Sequence, residues 1–382
     1  MKELKFNGNK MIIGPGSIQA IEGIEGQRFS IITGKRAMFD NGTIDGITGI
    51  LKAQGKAYDV YSGIGANPTV AEVEEGAKRL KAFDPDVVLA VGGGSAIDAA
   101  KVMTLLCEYK TLTIEEIRNG KAPEARRKIT LVAAPSTSGT ASEVTRAAVV
   151  TFEDENIKVG LKTLAFIPDI AILDGNLTLS MPKSVVAETG MDALTHALES
   201  YINPNADDFC KPISRAAAEG LFKWLPLSFQ DGDIKSRQKV HDFQSLAGMS
   251  FQNAGLGMSH GIAHAFGGTF GTGHGLLNAI ALPVILAYNA QDPQVKADLD
   301  ALGQIIGGDV IQEIHRLNAI FEIPQTFKEA GITEEEFVKH YDGLLAGSLK
   351  GSTARNPIPM DEKTMDGVLK QLYYGTERTE VE

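Results

Sequence analysis

Through roughly the first 180 residues, short runs rich in β-branched residues alternate with stretches of helical periodicity, and after Pro182 that alternation stops. FSIIT (29–33), AYDVY (57–61) and DVVLAV (86–91) are separated by helical patterns near 42–54 and 70–82; KITLVAAPS (128–136) and DIAILD (169–174) follow. Parallel strands need a crossover between them, usually a helix, so the alternation predicts a parallel sheet with helices on its faces. AAVVTF (147–152) reads as a hairpin strand. Beyond Pro182, SRAAAEGLFKWL and the segment 240–254 carry apolar residues at the 3.6-residue period, which predicts a mainly helical second half. The turn-like SMPKS marks the change, giving an α/β domain over 1–180 and an all-α domain over 181–382. No internal repeat or low-complexity tract interrupts either.

Composition narrows what such a chain binds. A formal charge of -11 with no basic run argues against nucleic acid and against anionic membrane surfaces. Cys107 and Cys210 are the two cysteines, too few for a disulfide framework and in no C-x-x-C pair, which fits a reducing cytoplasm. MKELKFNGNKMIIGPGSI lacks a basic start followed by a long apolar run, and no uncharged apolar stretch is long enough to span a bilayer. The expectation is a cytoplasmic protein without a membrane partner.

Two loops in the first half are shaped for a nucleotide. VLAVGGGSAIDAAKVM reads as buried strand, tight turn and helix, with Gly92, Gly93 and Gly94 freeing the backbone for close approach and the first helical N–H groups available to a pyrophosphate. Ser95 is a natural N-cap there, and Ser95 with Asp98 has capping-box spacing. G-x-G-x-x-G is absent, so this is not the standard dinucleotide fingerprint. PSTSGTASEVT (135–145) follows the strand ending near Ala134 and supplies Ser136, Thr137, Ser138 and Thr140. Two such loops after neighbouring parallel strands meet at one sheet edge, where α/β sheets bind nucleotides.

The second half brings metal-ligand chemistry. ETGMDALTHALES and GMSHGIAHAFGGTFGTGHG hold Asp192 and His196 four apart, His260 and His264 four apart, and His274 ten further on. Residues four apart share one helical face and can converge on one point. One carboxylate with imidazoles suits Fe(II), Zn(II) or Mn(II) with a position open to substrate, and an open position implies catalysis. Spacing leaves open which of the later histidines bind metal; helix geometry favours His260 with His264 and treats His274 as a loop histidine. His241, His315 and His340 stand apart from this company and read as surface residues.

Taken together and in this order, GGGSAID (92–98), PSTSGTASEVT (135–145), D-A-L-T-H, H-G-I-A-H and G-H-G resemble the iron-containing alcohol dehydrogenase family, related in fold to glycerol dehydrogenase and dehydroquinate synthase. The resemblance covers nearly the whole chain. It implies a Rossmann-like N-terminal domain with a parallel sheet, an all-helical C-terminal domain, bound NAD(P) and Fe(II), with Zn(II) also accepted by the ligand set, and a homodimer. It assigns Asp192, His196, His260 and His274 as metal ligands, against the spacing argument, and leaves His264 as a proton relay beside nicotinamide and substrate. Gly93, Gly94, Ser95 and Asp98 match the pyrophosphate loop, Thr137 and Thr140 the second loop, Lys158 a lysine near the cofactor ribose, and Asn67 another cofactor-side position. Ala147 and Phe251 match substrate-pocket positions, with room for a short apolar chain.

Relatives that prefer NAD tend to carry an acidic residue just after the first strand, where it accepts from the adenosine 2'-hydroxyl. Here Gly34 holds that place and Lys35 and Arg36 follow, so a 2'-phosphate meets space and two cations, and NADP(H) is expected over NAD(H). The implied reaction is reversible hydride transfer between the nicotinamide and a small alcohol or aldehyde of butanol, 1,3-propanediol or lactaldehyde type. Polyol or hydroxy-acid oxidation of the glycerol dehydrogenase kind is the alternative. A dehydroquinate synthase-like lyase needs a dense set of cations near the metal, and 188–275 contains few. Ile358 stands where many relatives have arginine, so anchoring by that arginine is not expected.

Overall fold

The computed structural model describes residues 2–155 and 157–375. Two compact units form: Met1–Met181 with Asp233–Met249, and Pro182–Gly232 with Ser250–Glu382. The sequence expectation of a single boundary differs at 233–249, which joins the first unit. These residues belong to the helix Ile234–Ala254, whose stripe His241, Gln244 and Gly248 packs on the loop after the fifth strand.

The first unit is built on six parallel strands, β1 (Lys10–Ile13), β2 (Arg28–Gly34), β3 (Ala57–Ile64), β4 (Val87–Gly92), β5 (Thr130–Pro135) and β8 (Ile170–Leu173), in the order β1-β8-β5-β4-β2-β3. A separate antiparallel pair, β6 (Ala147–Phe152) and β7 (Ile157–Lys162), makes the hairpin. Side chains alternate across the sheet, so Ile32, Val88, Ala90, Leu131 and Ala133 enter one apolar core while Ile31, Leu89, Val91, Val132 and Ala134 enter the other. Both faces are covered, which is why β4 and β5 read as nearly unbroken apolar runs. The chain passes from β2 outward to β3 and returns to β4 on the other side of β2, placing the topological switch between β2 and β4. Ligands of such sheets bind at the C-terminal strand ends beside that switch.

Local signals explain the flanking helices. Thr69 caps Val70–Phe83 by accepting from the Glu72 N–H at 3.2 Å, and the Glu72 carboxylate accepts from the Thr69 N–H at 3.1 Å. Val73, Ala77 and Leu80 then fall on one buried face. The helix after β4 is capped differently from the sequence expectation. Gly93 occupies the N-cap, Gly94–Glu108 follows, and the Ser95 hydroxyl donates to the Ala66 carbonyl after β3.

The second unit is helical, with Lys183–Tyr201 packed on both Cys210–Gln230 and His274–Asn289, and Met258–Phe270 packed on the last of these. Among the described residues no helix is long and apolar enough to cross a membrane. Cys107 and Cys210 are buried and unbridged.

Candidate functional site

At the C-terminal edge of the sheet, β4 and β5 end side by side, Gly92 opposite Pro135, and the Ser136 N–H donates to the Gly92 carbonyl at 2.9 Å. The two loops expected to meet there do so. A Cβ on Gly94 would lie 2.7 Å from the Thr140 hydroxyl oxygen, and one on Gly93 3.6 Å from the Thr137 side chain. Any side chain at Gly94 would therefore force the Thr140 side chain to move. Gly34 and the exposed Lys35 and Arg36 leave β2 at the same edge, and the exposed Asn67 follows β3. Arg36 makes a surface pair with Asp40. Lys158 lies on β7, exposed, opposite Thr151.

Asp98 serves this edge indirectly. Its carboxylate accepts from the Ser142 hydroxyl and from the Val149 N–H at 2.8 Å, so it braces the second loop and β6. Lys101, one turn on, is fully buried and donates to the Ala147 carbonyl at 2.7 Å and to the Thr145 hydroxyl at 3.3 Å. Burial pulls its pKa down to about 8 against the charges of Asp98 and Glu143. Ala147, expected to line a substrate pocket, is thus fixed at the start of β6.

His241 departs most from the sequence reading. It is wholly buried, its Nδ1 lies 2.9 Å from the Ser138 hydroxyl, and burial lowers its pKa to about 4 against the Asp174 charge and the Pro135 backbone. His315 and His340 are exposed.

In the second unit, Asp192 from Lys183–Tyr201, His260 from Met258–Phe270 and His274, first residue of His274–Asn289, present ligand atoms all within 4.8 Å of one another. Asp192 Oδ1 is 3.7 Å from Nε2 of both His260 and His274, and its Oδ2 is 4.0 Å from His196 Nδ1. The His196 ring stacks between Phe251, centroids 4.3 Å apart, and His260, 4.5 Å. His264 stacks on His274 at 4.9 Å with the rings 12° from parallel, and is solvent-exposed on one side. Desolvation by the surrounding protein, followed by the neighbouring imidazoles, lowers the His264 pKa below its ordinary value.

Two residues that the sequence reading does not assign to the ligand cluster also lie there, Glu199 entering that reading only as a partner for His196. Glu199 is buried and accepts from His260 Nδ1 at 2.6 Å and from the Gly257 and Ser259 N–H groups at 3.0 and 2.7 Å. That bond leaves the His260 Nε2 lone pair facing Asp192 and His274. Burial raises the Glu199 pKa to about 7 in spite of these donors. Asn278 Nδ2 donates to Asp192 Oδ1 at 2.8 Å and lies 3.3 and 3.2 Å from the Nε2 atoms of His260 and His274, while its buried Oδ1 has no partner. Its spacing of four from His274 was the available signal. For Asp192, burial alone would raise the pKa; His196, His274, His260 and Asn278 outweigh it and bring it down to about 2. A buried, ionised carboxylate facing imidazole lone pairs is a donor set that fits Fe(II) or Zn(II).

Comparison with known proteins agrees with this geometry. The model of iron-containing alcohol dehydrogenase matches residues 8–175, and that of the family's C-terminal part matches 186–373. An NADPH-dependent butanol dehydrogenase of Clostridium saccharobutylicum is 35% identical over 95% of this chain and 96% of its own length. The 1-propanol dehydrogenase PduQ of Salmonella typhimurium is 36% identical over 82% and 85%. The structure of the iron-containing alcohol dehydrogenase from Thermococcus thioreducens superposes with a TM-score of 0.88 at 29% identity, over 98% of this chain and 100% of that one. With both halves matched in order and the dehydrogenase fold reproduced, the chain belongs to the iron-containing alcohol dehydrogenase family.

Proposed function

We propose that this alcohol dehydrogenase uses NADP(H) in preference to NAD(H) and acts on small primary alcohols and their aldehydes, with Asp192, His196, His260 and His274 holding Fe(II). The convergence of Asp192, His260 and His274 carries the metal assignment. When bound, the ion supplies a Lewis acid to the substrate oxygen. The protein's own part is positional: Glu199 fixes the tautomer and orientation of His260, and Asn278 holds the Asp192 carboxylate. His264, exposed and stacked on His274, passes a proton to or from solvent at its imidazole. Thr137, Thr140 and the first turn of Gly94–Glu108 take the pyrophosphate at the sheet edge.

The cofactor preference rests on the end of β2. No carboxylate follows it directly, a Cβ on Gly34 would approach no atom closer than 3.9 Å, and Lys35 and Arg36, the latter paired with Asp40, come next. The NADPH dependence of the Clostridium relative supports the same reading. A short apolar substrate is favoured by Phe251 beside His196 and by the names of the butanol and propanol relatives. The test is anaerobic oxidation of NADPH by Fe(II)-loaded protein with butyraldehyde, beside an NADH control and a metal-free control. Metal-dependent turnover favouring NADPH is expected. Equal rates with both cofactors would overturn the Gly34 argument, and turnover only with polyols would overturn the substrate class.

A further inference from the structure

Three described non-glycine residues have a left-handed backbone: Asp84, Glu322 and Ala141. Asp84 ends the helix Val70–Phe83 and Glu322 follows the end of Val310–Ile320, both places where helices commonly terminate this way. Ala141, with φ at 51°, terminates no helix. It sits inside the second nucleotide loop, directly after Thr140, and is buried. An alanine there costs conformational energy that a glycine would not. Such strain persists only where the surroundings enforce it.

The enforcing groups lie on one stripe of Ile234–Ala254. Gln244 Oε1 accepts from the Ala141 N–H at 2.9 Å. The Gln244 amide is itself oriented, because its Nε2 donates to Glu143 Oε1 at 2.7 Å and to the Ser245 hydroxyl at 3.1 Å. One turn on, Gly248 leaves room: a Cβ there would lie 2.3 Å from Ala141 Cβ and 2.8 Å from Val144 Cγ2. One turn back, His241 holds Ser138. The consequence appears on the opposite side of the loop. The turn at Ala141 brings the Ser142 N–H to 3.3 Å from the Thr140 hydroxyl, and Thr140 packs on Gly94.

We infer that Gln244, with Gly248, is a positioning residue for cofactor binding: it pins Ala141 in the left-handed conformation that presents Thr140 to the dinucleotide at the glycine loop. The inference rests on reading the Thr137–Thr140 loop as a pyrophosphate site, and the experiment separates the two. NADPH affinity is measured by cofactor fluorescence for the wild type, Thr140→Val, Gln244→Ala, Ala141→Gly and the double variant Ala141→Gly/Gln244→Ala, with bound metal and aldehyde KM followed alongside.

Gln244→Ala weakens NADPH binding about tenfold, the scale set by a strained non-glycine backbone. Its metal content and aldehyde KM stay at wild-type values. Ala141→Gly in the same chain restores most of the loss, because glycine adopts the turn without being held. If Gln244→Ala does not fold, Gly248→Ala serves instead, since its clash is with Ala141 Cβ and Ala141→Gly relieves it in part. Normal NADPH affinity in both Gln244→Ala and Gly248→Ala, with Thr140→Val weakened, overturns the inference and leaves the loop assignment standing. A loss in Gln244→Ala that Ala141→Gly does not recover also overturns it. Wild-type affinity in Thr140→Val overturns the loop assignment itself.

Discussion

Acidification tests the buried His241 directly. Its imidazole is 0% exposed, and burial holds its pKa at about 4 instead of the ordinary 6.5. Between those values the unfolded chain binds a proton that the folded chain refuses, so this contribution to stability is complete above pH 6.5 and is lost as pH falls toward the folded value. A shift from 6.5 to about 4 corresponds to about 3 kcal/mol in total, of which about 2 kcal/mol is lost between pH 7 and pH 5. The assay is urea unfolding of the metal-free protein followed by circular dichroism at a series of pH values, for the wild type and for His241→Gln. The substitution costs stability at every pH because Ser138 loses its partner, but what matters is the difference in slope. The second-unit histidines and carboxylates titrate alike in both proteins and cancel. The wild type should lose about 2 kcal/mol more than His241→Gln over that interval. Parallel curves would refute the claim that this histidine is held neutral in the fold.

Glu199→Gln removes the carboxylate on His260 Nδ1 and should weaken metal binding roughly 10- to 100-fold, read by competition with a chromophoric chelator; unchanged affinity would remove Glu199 from the metal argument. His264→Asn should slow turnover about a hundredfold while leaving NADPH affinity intact, and unaltered turnover at all pH values would rule out the proton-relay role. Gly34→Asp should lower the ratio of kcat/KM for NADPH over that for NADH by about tenfold or more through repulsion of the 2'-phosphate; an unmoved ratio would place cofactor choice elsewhere. Gly275→Ala puts a Cβ 2.3 Å from the Glu188 carbonyl oxygen and should cost about 1–3 kcal/mol of stability together with metal affinity, measured by thermal unfolding and chelator competition.

The sheet was legible because its central strands are buried on both faces and spelled largely in aliphatic residues, and the edge strand β3 was legible too as AYDVY, whereas β1 and the separate ribbon strand β7 were not. β1 is the four-residue KMII at an edge, with both ends exposed, so no alternation distinguishes it from a loop. β7 carries Lys158 and Lys162 on a mostly exposed ribbon, and only its partner β6 shows the apolar pattern. His241 misled for a related reason. Flanked by Lys239, Val240 and Asp242, it looks like a surface position, and its burial depends on Ser138, a residue 103 positions earlier in the chain. Ser95 shows the same limit at short range: its type and spacing suit a cap, but Gly93 takes the N-cap and the Ala66 carbonyl takes the hydroxyl.

Helical spacing identifies residues that share a face and is silent about what that face meets. His260 and His264 do lie one turn apart on Met258–Phe270, yet the imidazole nitrogens that face Asp192 Oδ1 at 3.7 Å come from His260 and from His274, on a different helix. What brings His274 in is its neighbour. Gly275 lies so close to the Glu188 carbonyl that a Cβ would overlap it, and Glu188 is one turn before Asp192 on Lys183–Tyr201. With any side chain at 275 the start of His274–Asn289 would be displaced outward, and the His274 imidazole with it. The glycine in G-H-G that reads as loop punctuation is therefore a contact point between helices. The approach of His274 to Asp192 depends on that missing side chain.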